Sequence, residues 1–167
     1  SIRPLFPKDF HQEVQVIVTV LSIDQANDPD ILGFIGASAA LSISSIPWHG
    51  PLGASRVGAT NGTFVVNPTI EEIEHLDLDL FVASTKDKVV MIEAVGSEIP
   101  DDKVFEAVKK AHSECQAVIS LIEEFTKEAD PIKQAYSTIV DEVEEAVLKE
   151  VKKLARERIE TALFNLE

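Results

Sequence analysis

Apolar and polar positions change period several times along the chain, and each change marks an element. From Glu13 to Ile23, Val14, Val16, Val18 and Val20 alternate with Gln15, Ile17, Thr19 and Leu21, so one face is wholly apolar and the other nearly so. That period of two predicts a strand, and two apolar faces predict one buried inside a sheet. Asp28-Pro29-Asp30 supplies a helix start, with Asp28 as N-cap, Pro29 at the first helical position and Asp30 near the positive end. The helix runs to about Ser44 and is rich in small residues (Gly33, Gly36, Ala37, Ser38, Ala39, Ala40), which point to close packing on a sheet.

After the connector Ile46–Pro51, two short strands are predicted at about Gly53–Ala59 and Thr63–Val66, joined by the hairpin signal Asn61-Gly62. A short helix follows around Glu71–Glu74, capped by Thr69. Leu78, Leu80 and Val82 then alternate with acidic positions, and Thr85–Lys88 turns into a further strand, Val89–Val95. Pro100-Asp101-Asp102 opens a long helix whose stripe is Val104, Val108, Ala111, Cys115, Val118, Ile122 and Phe125. Ala129-Asp130-Pro131 breaks it. A second stripe follows through Tyr136, Val140, Val143, Val147, Val151 and Leu154, carried on by Ile159, Ala162, Leu163 and Leu166. The order β-α-β-β-(α)-β-β-α, then helices only, predicts an α+β fold: a largely antiparallel sheet with helices on one side, followed by an all-helical segment.

Composition changes the picture at three points. A hydrophobic fraction of 45% and a charged fraction of 26% describe a globular chain with no membrane-spanning run. The start lacks a signal-peptide pattern and an initiator methionine, so a fragment or processed product is expected. Cys115 is the single cysteine, which excludes an internal disulfide and fits a reducing, cytoplasmic compartment. A net charge of −14 argues against a simple electrostatic nucleic-acid binder, although a small basic patch remains compatible with RNA contact.

Candidate chemistry is sparse. His11, His49, His75 and His112 form no metal-ligand spacing with each other or with Cys115, which sits on the helical stripe as a small core residue. No phosphate-binding glycine loop or nucleophile elbow occurs. Glu71, Glu72, Glu74, Asp77 and Asp79 form an acidic run. Asp77 and Asp79 share a strand face and could join a carboxylate site, or simply line a wet face. An independent small-molecule enzyme has only this cluster behind it.

The opening Ser1-Ile2-Arg3-Pro4-Leu5-Phe6-Pro7-Lys8, followed by Glu13-Val14-Gln15-Val16, resembles the polynucleotide phosphorylase family. It matches the point in the first RNase PH-type repeat where an arginine-rich helix leads into a core strand. The resemblance runs on through Asp28-Pro29-Asp30, Gly36–Leu41, Ile46-Pro47, Gly50-Pro51, Arg56-Val57-Gly58, Asn67-Pro68-Thr69 and Leu78-Asp79-Leu80. It implies a partial RNase PH-like domain over residues 1–128 and the start of an all-helical linker domain over 129–167. The activity implied is processive, phosphate-dependent 3′-to-5′ exoribonucleolysis, releasing nucleoside diphosphates within a ring-shaped homotrimer. Inorganic phosphate is then the co-substrate and Mg2+ the metal, both held chiefly by a second repeat outside this segment.

The same resemblance implies that this segment holds no catalytic or metal-binding residue. Asp28 and Asp30 stand where the active repeat keeps phosphate-binding serines, and Asn67 and Ile73 stand in place of two aspartates. Ser84 replaces a glycine that the family usually has before the threonine. What remains is RNA guidance and ring assembly, with single-stranded RNA, the rest of the polypeptide and RNA-degradation components as partners. Arg3 and Lys8 fit phosphate contacts, and equally fit salt bridging and solubility. Arg56 reads as an intersubunit or intradomain ion-pair partner. The competing reading is a stand-alone, non-catalytic scaffold subunit of an exosome-like ring.

Overall fold

The structure, a computed structural model, describes residues 1–136 and 145–164. The chain divides into two compact units, Ser1–Tyr136 and Ser137–Glu167. The first unit holds α1 (Asp30–Ile43), β1 (Gly53–Thr60), β2 (Thr63–Val66), α2 (Ile70–Ile73), β3 (Leu78–Ser84), β4 (Val89–Gly96) and α3 (Asp101–Ala129). The second holds α4 (Glu145–Phe164), on which Val147, Val151, Leu154, Ile159 and Leu163 are exposed. Val140, Val143 and Leu166 of the predicted stripe lie outside the described residues.

One antiparallel sheet runs in the order β2-β1-β3-β4. Its register sets Val57 opposite Val66 on one side and Leu80 on the other, with Leu80 opposite Ala94. Asn61 and Gly62 both take positive φ (50° and 79°), as a two-residue hairpin turn requires. Strand alternation turns Val57, Ala59, Leu78, Leu80 and Val82 toward α3, where they meet Ala107 and Ala111. Gly53 is needed at this contact, because a Cβ there would lie 2.7 Å from the Cys115 carbonyl oxygen. Arg56, Asp79 and Phe81 point to the opposite face, and Phe34 of α1 meets Phe81 there edge-on at 5.8 Å. The one-sided arrangement of helices thus holds for α3, whereas α1 reaches the second face.

The predicted strand Glu13–Ile23 does not form. Among the described residues the segment has no ladder partner, and Ile17 and Leu21 are 75% and 93% exposed. Its alternation is that of a sheet interior, but an extended segment is held as a strand only by neighbours that take its N–H and C=O groups. It lies along α1 instead: a Cβ on Gly33 would come 3.2 Å from Val18 Cγ1, while one on Gly36 would meet nothing. Close packing therefore explains the first of these glycines and not the second. The α1 start is displaced by one residue, with Pro29 at the cap, although the Asp28 carboxylate accepts from Asp30 N at 2.9 Å as a capping side chain does.

On α3 the buried positions are Ala107, Ala111, Cys115, Ile119 and Ile122, while Phe125 is exposed. Burial raises the Cys115 thiol pKa above its ordinary value, as befits a small core residue. No helix among the described residues is long and apolar enough to cross a membrane.

Candidate functional site

The N-terminal residues fold as two successive turns because Pro4 and Pro7 restrict the backbone between them. Leu5 N donates to Ile2 O and Phe6 N to Arg3 O, both at 3.2 Å, closing a 3-10 turn over Arg3–Leu5. Phe10 N donates to Pro7 O at 3.0 Å, closing the second turn around Lys8. Ile2, Leu5, Phe6 and Val14 pack against a core of Leu41, Trp48 and Leu52. From the connector, Trp48 Nε1 donates to Ile2 O at 3.2 Å and His49 N to Leu5 O at 2.9 Å. The apolar side chains bind the turn down, and Arg3 and Lys8 are left exposed. Among the described residues neither enters an ion pair.

Arg3 lines a groove of about 290 Å³ together with Ile2, Phe6, Phe10, Gln12 and Val14. Phe6 and Phe10 stack within it at 5.7 Å and 12°. Lys8 is not among the lining residues. The aromatic pair and Gln12 were missed as partners of Arg3. The available signal was the spacing of four between Phe6 and Phe10 across Pro7.

The acidic positions form no shared site. Arg56 Nε and Nη2 donate to the two Asp79 carboxylate oxygens at 2.7 and 2.6 Å, and Nη1 donates to Asp28 Oδ2 at 2.5 Å. This bidentate pair plus a third bond holds the guanidinium pKa above its ordinary value, Asp79 being the larger cause. Arg56 is therefore the intradomain partner. Asn67, at φ 48°, donates its backbone N–H to Arg56 O at 2.7 Å and accepts from Arg56 N through Oδ1 at 3.1 Å. Ile73 is half-buried at the end of α2. Thr69 N and Oγ1 donate to Glu72 Oε2 at 2.8 and 3.0 Å, completing a capping box that lowers the Glu72 pKa, the backbone bond contributing most. Asp77 lies just before β3 and accepts from Asn61 N at 3.0 Å. Among the described residues no group of three His, Cys, Asp or Glu side chains could hold a metal ion.

Residues 50–114 match the model of the 3′ exoribonuclease family, domain 2. The polyribonucleotide nucleotidyltransferase of Thermus thermophilus is 48% identical over 151 residues, covering 89% of this chain and 21% of that protein. The protein of the same name in Caldicellulosiruptor saccharolyticus is 48% identical over 157 residues, 94% of this chain and 22% of that one. In Deinococcus deserti the identity is 52% over 128 residues, 77% of this chain and 18% of that one. The chain spans about one fifth of the length of the curated relatives it matches. The crystal structure of rice (Oryza sativa) Rrp46 is similar in fold, with a TM-score of 0.56 at 11% identity over 63% of this chain and 51% of that one. The α+β architecture, the domain match over residues 50–114 and the identity on both sides of it agree: the chain is similar to the 3′ exoribonuclease family and, within it, to one segment of the polyribonucleotide nucleotidyltransferases.

Proposed function

We propose that this chain is a non-catalytic segment of a polyribonucleotide nucleotidyltransferase, a cytoplasmic enzyme that degrades RNA from the 3′ end with inorganic phosphate and releases nucleoside diphosphates. In this reading residues 1–128 are part of a first RNase PH-type domain and residues 129–167 begin an all-helical domain. The segment serves assembly of a homotrimeric ring and guidance of single-stranded RNA. Mg2+ and phosphate act elsewhere in the parent enzyme. The observation that carries the silent role is the fate of the groups at the positions where an active repeat would work. Asp28 is paired with Arg56, Asn67 is bonded to the Arg56 backbone, and Ile73 is apolar.

RNA guidance falls to Arg3 and Lys8, the exposed cations of the N-terminal turns. Cations there contact phosphates and carry no base sequence information. The test is fluorescence anisotropy of a labelled single-stranded RNA across a salt series. Arg3→Ala and Lys8→Ala are each expected to weaken binding and to reduce the slope of log affinity against log salt by about 0.7. Unchanged affinity and slope in both variants would remove the RNA role.

A further inference from the structure

Beyond α3 the chain turns back on itself. Asp130 takes the left-handed conformation that ends the helix, and residues 131–136 carry neither helix nor strand. They are fastened nonetheless. Lys133 Nζ donates to Leu41 O at 3.1 Å and to Ser42 O and Ser44 O, each at 2.9 Å. An ammonium has three N–H donors, and here all three meet carbonyls at the end of α1, where a helix leaves its last acceptors without internal partners. Gln134 N donates to Ser45 O at 2.7 Å. Two residues on, Tyr136 sets its ring edge-to-face with Phe10 at 5.7 Å and 88°. Phe10 is the ring stacked on Phe6 in the groove that Arg3 lines.

The connection therefore runs from the α1 C-terminus through Lys133 to Tyr136, and from Tyr136 into the groove. We propose that Lys133 and Tyr136 are positioning residues for RNA contact: Lys133 straps residues 131–136 to α1, and Tyr136 braces Phe10 so that the turn bearing Arg3 keeps one geometry. The inference rests on the proposed RNA role of Arg3. Neither residue needs to touch RNA. Their effect is to spare the turn the ordering that binding would otherwise require.

The test measures binding of a labelled single-stranded oligoadenylate to the 167-residue chain and to Arg3→Ala, Lys133→Met, Tyr136→Leu and Tyr136→Phe. Lys133→Met and Tyr136→Leu are expected to weaken affinity about 2- to 10-fold, the range of one aromatic edge contact. Their salt slope stays that of the parent chain, because no phosphate contact is lost. Tyr136→Phe keeps the ring and binds as the parent does. Fluorescence of the buried Trp48 reports that each variant retains its fold. Parent-like affinity in both Lys133→Met and Tyr136→Leu, with Arg3→Ala weakened, overturns the strap and leaves the RNA role standing. A silent Arg3→Ala overturns both. Loss of affinity in Tyr136→Phe equal to that in Tyr136→Leu also overturns the strap, since the ring is then not the cause. Should Tyr136→Leu fail to fold, Lys133→Met decides.

Discussion

At the scale of single residues, the telling feature is that charged groups with an apparent chemical purpose are used to hold the fold. Arg56 binds two aspartates with its side chain and Asn67 with its backbone, tying the start of α1, β1 and β3 together. Four-fifths of its side chain is buried, so its removal leaves Asp28 and Asp79 facing one another with little solvent to screen them. Arg56→Ala is expected to destabilise the first unit by about 2–3 kcal/mol, below the full cost of breaking a deeply buried pair, as chemical denaturation measures. Cys115 gives a second prediction. Its thiol is buried and its pKa raised, so a disulfide reagent modifies the native chain no faster than the chain unfolds, and modifies the denatured chain at once.

These residues also show what could be read from sequence alone. Arg56 was identified as an ion-pair partner, but its bonds reach 23 and 28 positions along the chain, and no local spacing encodes them. Asp77 and Asp79 alternate as a shared-face pair would. In the fold Asp77 falls just outside β3 and serves the hairpin turn, so the spacing describes two unrelated contacts. Lys133 carried no signal at all, because its partners are the carbonyls of a helix about ninety residues earlier.

Among the elements, those closed by local chemistry were the most legible. The Asn61-Gly62 hairpin, the Thr69 cap and the Pro100–Asp102 helix start each depend on neighbours within a few positions, and each forms where expected. The segment Glu13–Ile23 is the counterexample, since its alternation describes a surface to be buried without saying what buries it. On α3, Ala107 and Ile119 were missed as buried positions and Phe125 was wrongly included, because the stripe was extended at fixed spacing and not matched to β1 and β3. The α2 cap yields a pH prediction. The Glu72 pKa is lower in the folded chain than its ordinary 4.5, so its contribution to stability is complete above that value and is lost as pH falls below it. Glu72→Gln keeps a capping amide but not the charge. It is expected to flatten this part of the acid-unfolding profile followed by circular dichroism.

For the whole molecule, the sequence resemblance, the four-stranded antiparallel sheet and the family match over residues 50–114 lead to one account. The chain spans about one fifth of the length of the polyribonucleotide nucleotidyltransferases it matches, and the contribution proposed for it is shape and RNA contact. The strapped N-terminal groove and the ion-paired second face are both consistent with a segment that positions substrate without transforming it. The most direct measurement offers the 167-residue chain poly(A), inorganic phosphate and magnesium, and follows RNA binding and nucleoside diphosphate release together. The account predicts salt-sensitive binding that falls on Arg3→Ala, with no diphosphate released; release by the chain itself would contradict it.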